Sequence, residues 1–407
     1  MAPRLSELTG PRPLRVLYSF PHKLGADRIC HTAWQQVAGL AAAGEEVTVM
    51  PGAVQLAPPA GVRVAPTLAF GALRIPYRLI GVRRACALHD WVVARRLRAA
   101  PRDFDLVHAW PLGARHTLRT ARALGVPVLL ERPNAHTRFA YEVVERECAQ
   151  IGLRLEPDHE HARKDDWLRI EEEEYAAADG LLCPSDFVVR TFLAAGHPTE
   201  RLLRHHYGYD AARFFPPASG PNGRDCFTVL FAGGCAPRKG LHHALAAWRA
   251  CGAGRSGRFL IAGEFVPGYA DCIRELIDQP GISLLGHRRD LPALMRRSDV
   301  LVLPSVEEGS ALVTSEARAC GCVLAVSDAS GAICTPGEDG LVHPAGDVRT
   351  LTEHLATLRN PEALARLRAA SLRTTASFSW TAAGRTLARV YRDFLTRWPD
   401  PPAAVRT

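Results

Sequence analysis

Short apolar runs alternate with amphipathic helical patterns along nearly all of this 407-residue chain. That alternation has one simple solution: parallel strands whose two faces are covered by the intervening helices. Arg15–Phe20 (RVLYSF) reads as the first strand, stopping at Pro21. A loop holding Gly25 follows, then a helix from about Ile29 to Ala43, ended by Gly44. Further strands are expected at Glu46–Met50, Asp105–Ala109, Val126–Leu130 and Gly180–Cys183. Helices are expected at Leu79–Ala99, Gly113–Leu124, Arg138–Ile151, Trp167–Ala178 and Asp186–Ala195, with Ser185 as an N-cap. The pattern breaks at Arg213–Asp225 (RFFPPASGPNGRD), read as a linker. It restarts with strands at Phe227–Ala232, Phe259–Ala262, Ile282–Leu285, Val300–Leu303 and Val323–Val326.

The chain is too long for one ordinary core. The reading is therefore α/β, with two doubly wound Rossmann-like domains facing a cleft. The first spans 1–209 and is joined by a C-terminal helix within 380–407; the second spans 210–379. Ligands of such sheets sit beyond the carboxyl ends of the strands, so a large polar ligand bridging both domains is expected.

Composition narrows the class. A 47% hydrophobic share excludes a disordered chain, and no apolar run of about 18 residues offers a membrane span. The first twenty residues lack the order of a signal peptide. Eleven scattered cysteines with no CxxC spacing read as buried thiols in a reducing cytoplasm. Net charge is +8, and Arg63–Arg122 holds twelve Arg against Asp90, Asp103 and Asp105. The helix over Leu79–Ala99 carries Arg83, Arg84, Arg95, Arg96 and Arg98 beside Ile80, Leu88, Trp91 and Val92. It reads as a core-packing helix with a charged outer face, or as a peripheral contact with an anionic membrane. No nucleic-acid motif occurs.

Three segments carry chemistry. In Pro304–Glu316 (PSVEEGSALVTSE), a buried strand leads to Glu308 and then Gly309, which is expected to open a helix. Unpaired N–H groups of such a first turn attract phosphate. Glu316 lies seven residues beyond Gly309, two helical turns on, and could grip sugar hydroxyls with Glu308. In Phe231–Gly240 (FAGGCAPRKG), Gly233 and Gly234 permit close approach to an anion that Arg238 and Lys239 would neutralise. It is not a Walker A loop, because Lys239 precedes Gly240. The third segment, Gly286–Gly309, joins a loop, a short helix, a strand and the carboxylate motif.

These segments, with CGCVLAVSDASG, resemble the donor-binding half of retaining GT-B glycosyltransferases of family 4, the glycosyl transferases group 1. The likeness is strong over about Tyr207–Phe394, and weaker in the first half, where it rests on Gly25, DLVHAW, VPVLLERPNAHT and ADGLLCPSDFV. The resemblance implies that Glu316 holds the ribose and Glu308 contacts the donor sugar. It implies that the amides of Ser310, Ala311, Leu312 and Val313 meet the diphosphate or sugar, and that Lys239 and Arg238 neutralise the diphosphate. His287 would lie by the nucleobase, Gly25 would approach the phosphates, and His136 would stand close to the reacting sugar.

Two departures are visible. Gly234 stands where the family usually has Arg, and Ser310-Ala311 replaces the usual small aromatic or Gly. The implied activity is transfer of a hexose-type sugar, with retention, to a glycan, lipid-linked or small-molecule acceptor. The rivals are a nucleotide-sugar epimerase-like GT-B enzyme and a non-catalytic nucleotide-sugar-binding scaffold. A phosphorylase would need a lysine for pyridoxal phosphate, and only Lys23, Lys164 and Lys239 are present. No cofactor and no metal are expected. Asp103-Phe104-Asp105 matches a DxD metal motif but enters a strand, and Asp158, His159, His161 and Asp165 fit no zinc spacing. Glu171–Glu174 reads as a solvated face, His108 as a core or acceptor-side residue, and His205-His206 and His242-His243 as surface or packing residues.

Overall fold

The computed structural model describes residues 12–398 apart from 71–72, 76–79, 160 and 219–225. The first sheet is built from β1 (Arg15–Leu24), β2 (Glu46–Val54) and β3 (Arg63–Val64). A small antiparallel pair follows, β4 (Ala69–Phe70) and β5 (Leu73–Arg74). The sheet then continues through β6 (Leu106–Ala109), β7 (Val128–Glu131), β8 (Gly180–Cys183) and β9 (Leu202–Arg204). Its order is β3-β2-β1-β6-β7-β8-β9, parallel throughout. The covering helices are α1 (Ile29–Ala42), α2 (Val82–Ala99), α3 (Arg115–Leu124), α4 (Thr137–Gln150), α5 (Asp165–Ala177) and α6 (Asp186–Ala194).

The second sheet repeats the scheme. Its strands are β10 (Thr228–Ala232), β11 (Arg258–Ala262), β12 (Ile282–Leu284), β13 (Val300–Leu303), β14 (Val323–Ser327) and β15 (Leu341–His343). They run in the order β12-β11-β10-β13-β14-β15, again all parallel. Its helices are α7 (Leu241–Ala250), the short α8 (Tyr269–Cys272), α9 (Arg274–Ile277) and α10 (Leu291–Arg296), then α11 (Leu312–Ala319), α12 (Val348–Leu358) and α13 (Pro361–Thr374). All four residues of β13 are buried, as helices on both faces require.

Two strands outrun their expected ends. β1 continues through Pro21 to Leu24, and β2 through Pro51 to Val54. β1 pairs with β6 only over Val16–Ser19, so past Ser19 one side of it is an edge. A register shift between Phe20 and Lys23 accommodates Pro21 there. Of the expected linker, residues 213–218 are irregular and 219–225 lie outside the described residues, as do 1–11, Leu79 and 399–407.

The last helix, α14 (Trp380–Arg397), returns to the first sheet. Leu387, Tyr391 and Leu395 join the core formed by Val16, Tyr18 and Leu40. A Cβ on Gly39 of α1 would lie 2.8 Å from the Cα of Gly384, so the two helices touch backbone to backbone. The crossing is pinned where the Trp380 amide donates to the Tyr209 carbonyl at 3.2 Å. No helix among the described residues is long and apolar enough to cross a membrane.

Candidate active site

In each sheet the strand order reverses between the sheet's first and fourth strands in chain order, and ligand crevices open at that point. The loops beyond β1 and β7 and those beyond β10, β11 and β13 line one cleft of about 900 Å³. Hydrogen bonds cross between the two domains. The Ser185 hydroxyl donates to the Gly309 carbonyl at 2.5 Å, and the Ala135 amide donates to Glu307 at 3.3 Å. Arg190 donates to the Asp328 carbonyl at 3.0 Å. At Gly309 the domains approach closely: a Cβ there would lie 1.5 Å from the Pro133 carbonyl oxygen.

The cation loop and the carboxylate loop are stitched together. The Val306 amide donates to the Arg238 carbonyl at 2.9 Å. Lys239 Nζ bonds Glu308, and Arg238 bridges Glu307 and Glu308, each at 3.2 Å. Burial pushes the Glu308 carboxyl up, but the adjacent Arg238 and Lys239 charges outweigh it and hold it at about 2. The group is therefore ionised; Glu308 and Glu307 more than offset the effect of burial on Arg238, whereas burial, aided by the Arg238 charge and opposed by Glu308, lowers Lys239 from its ordinary value.

Of the predicted residues, Gly233, Gly234, Arg238, Lys239, His287, Glu308, Ser310, Ala311, Leu312 and Val313 all line the cleft. The helix opens later than expected, because Ala311 is the N-cap and α11 begins at Leu312. Gly309 is used for the interdomain approach instead, and its carbonyl accepts from Ser185. The first-turn amides of Leu312 and Val313 lack intrahelical acceptors, as at any helix start. Glu316 lies farther along α11, outside the cleft lining and without a hydrogen-bond partner among the described residues. Burial pushes its carboxyl up to about 7, while Arg213 draws it down.

Two first-domain residues sit away from the cleft. Gly25 packs against Leu56, and the end of that loop and the first turn of α1 present Arg28, Ile29 and Thr32 instead. His136 is 5% exposed, with ring centroids 5.1–5.8 Å from Phe192, Tyr175 and His197. Burial and the Arg132 charge lower it to about 4, so it is neutral. Two residues earlier on the same loop, Asn134 does line the cleft.

Several residues taken as solvated or surface groups are buried partners. Glu174 accepts from the amides of Leu112 and Ala114 at 2.7 and 2.9 Å, and burial lifts it to about 8. Glu171 bonds Arg132 and Thr137. His205, His108, Gln36 and Tyr207 surround the wholly buried Glu131 of β7. Burial opposes ionisation of Glu131, and His205 and His108 more than offset it. His108 also bonds Tyr391 of α14, and Tyr207 reaches the cleft, so this network joins core, crossing and site. The carboxylates of the DxD segment are spent on structure: Asp105 on Arg12 and Arg15, Asp103 on Arg96. Sequence reading also missed Arg28, Arg288 and Glu264, which line the cleft. Single charged loop residues carry no periodic signal, so nothing in the chain marks them.

Two facing doubly wound domains with a basic, glycine-lined cleft define a GT-B fold. Residues 226–360 match the family model Glycosyl transferases group 1. The chain is 33% identical over 92 residues to N,N'-diacetylbacillosaminyl-diphospho-undecaprenol alpha-1,3-N-acetylgalactosaminyltransferase of Campylobacter jejuni. That match covers 22% of this chain and only 24% of the relative. It is 27% identical over 349 residues to D-inositol 3-phosphate glycosyltransferase of Thermobispora bispora, covering 77% of this chain and 76% of that one. The structure of Anabaena HepE in complex with UDP and glucose superposes with a TM-score of 0.61 at 17% identity, over 93% of this chain and all of that one. At that identity the likeness shows the fold.

Proposed function

We propose that this chain moves a hexose-type sugar from a nucleotide-diphospho-sugar to a glycan, lipid-linked or small-molecule acceptor, with retention of anomeric configuration. The observation that carries the reading is Lys239, bonded to Glu308 beside the first turn of α11, inside a cleft lined by both domains. The nucleotide lies over the second sheet, with its ribose toward Glu316 and its base toward His287. The diphosphate lies over Gly233, Gly234 and the start of α11. As the sugar–oxygen bond breaks, negative charge grows on the leaving diphosphate. Lys239, Arg238 and the amides of Leu312 and Val313 stabilise it without a metal in the chemistry. Arg28 and Arg288 add positive field from opposite walls. A Cβ on Gly234 would have nothing within 4 Å, so the family's usual Arg is absent there by sequence, not for want of room. The acceptor enters from the Asn134 side and attacks the face the diphosphate leaves. The relatives named above, one with a diphospho-undecaprenol acceptor in its name and one bound to UDP and glucose, support this reading.

We propose further that the protein works at the cytoplasmic face of a membrane. The eleven cysteines are all free thiols, which supports a reducing compartment. On α2, Trp91 is 47% exposed beside the Arg95 guanidinium, which supports contact with anionic lipid. Arg83 and Arg96 pair with Asp166 and Asp103, leaving Arg84 and Arg95 for that contact. Flotation with anionic vesicles tests it: salt-sensitive binding lost in Trp91→Ala is expected, and no binding removes the proposal. For the reaction, the test is a panel of nucleotide-sugars with and without acceptor extracts. Acceptor-dependent release of nucleoside diphosphate is expected. Release with an altered free sugar and no acceptor would make the protein an epimerase, and binding without turnover would make it a scaffold.

A further inference from the structure

Glu147, near the end of α4, and His242 and His243, in the first turn of α7, come from different domains and meet. Glu147 Oε2 lies 3.0 Å from His242 Nε2 and 2.9 Å from His243 Nε2. Adjacent helix residues ordinarily face apart. Here the two imidazole centroids are 3.9 Å apart and both rings aim at one carboxylate oxygen. One ligating atom from each residue lies within 4.8 Å of the others. Glu147 and His242 are buried and His243 is half-buried, which gives an ion a way in. The other Glu147 oxygen has no donor among the described residues.

Tyr269 orients the set. Its hydroxyl accepts from the His242 amide at 3.1 Å and meets His242 Nδ1 at 2.8 Å. That leaves Nε2 facing Glu147. Metal-binding histidines are held in this way, by a hydrogen bond to the nitrogen that does not ligate. Two imidazoles and a carboxylate, with one position open to water, are a zinc-type donor set.

We propose that Glu147, His242 and His243 bind one divalent transition metal of the Zn²⁺ type, which clamps the two domains together behind the cation loop. α4 also packs against Pro237–Lys239, and His242 follows Lys239 by three residues. The ion therefore fixes where the first domain holds that loop. None of the three ligands lines the cleft, so the ion does no chemistry on the substrate. Both Nε2 atoms must be unprotonated to ligate, so affinity falls in acid.

The test uses the full-length protein, stripped with chelator and titrated with Co²⁺, then Zn²⁺. Saturable binding of one Co²⁺ per chain is expected, with the visible absorption of a low-coordinate N/O site that Zn²⁺ displaces. Zn²⁺ should also raise the thermal midpoint. His243→Ala and Glu147→Gln should each abolish both signals, whereas His159→Ala, at a histidine that lines the cleft, should keep them. Tyr269→Phe should weaken binding about 10- to 100-fold. Circular dichroism checks folding, and if His243→Ala does not fold, Glu147→Gln decides. No saturable binding by the wild type, or binding that survives in folded Glu147→Gln, overturns the proposal.

Discussion

Lys239 is held by Glu308, so in the proposed reaction an incoming diphosphate would compete for the ammonium. A diphosphate carries more charge than one carboxylate and can draw Lys239 toward the leaving oxygen. Lys239→Ala is therefore expected to lower kcat about 100- to 1,000-fold, the range for losing one donor to a developing oxyanion. Steady-state kinetics at saturating donor checks this, and wild-type kcat would remove Lys239 from that role. Glu316 makes a different demand. Burial raises its carboxyl from 4.5 to about 7, so the folded state prefers the proton. This group's contribution to stability falls as pH rises from 4.5 to about 7. Ribose hydroxyls donate to the ionised form, so binding favours loss of that proton. Nucleotide affinity is expected to rise as pH climbs through about 7 and to become flat in Glu316→Gln, by calorimetry at about pH 6 and about pH 8. A wild-type profile already flat would sever Glu316 from the ribose.

Elements were legible to the extent that their signal is local. The apolar periodicity placed the long strands of both sheets and the helices of the first within a few residues. Pro21 and Pro51 misled because proline ends a strand only where a ladder bond is needed on both sides, and pairing partners are not written in the strand itself. Gly309 misled in a related way. It reads as a helix opener, yet its lack of a side chain answers to Pro133 in the other domain, 176 residues earlier in the chain. Gly309→Ala is expected to push the loop off Pro133 and lower kcat/KM about 100-fold, since displacements near 1 Å cost that much. Far-UV circular dichroism should stay unchanged. Unaltered kinetics would mean that the close approach has no part in aligning the site. The α1–α14 contact carries its own prediction. Gly384→Leu overpacks the Gly39 crossing and should destabilise the protein by about 1–3 kcal/mol in urea unfolding. An unshifted midpoint would mean that the helices separate freely.

At the scale of the whole molecule, two parallel sheets bring their switch points to one cleft, and the last helix ties the second domain back to the first. That architecture, and the loops of the second domain, could be read from the chain because glycine, paired cations and carboxylates cluster within short segments there. The first domain's share could not. Arg28, Thr32 and Asn134 are isolated in sequence, and the Glu131 network gathers Gln36, His108, His205, Tyr207 and Tyr391 from across the chain. His205 and His242, read as surface or packing residues, are buried, and their partners could not be named because a long-range partner leaves no local trace. In the proposed function, the cleft beyond the second sheet holds a nucleoside diphosphate through Lys239 and the start of α11. The most direct test is calorimetry of nucleoside diphosphates and nucleotide-sugars against the full chain without added metal, repeated with Lys239→Ala. One base should bind with one-to-one stoichiometry, and Lys239→Ala should weaken the diphosphate while sparing the nucleoside. Failure of every base to bind, or equal affinity of diphosphate in both proteins, would contradict it.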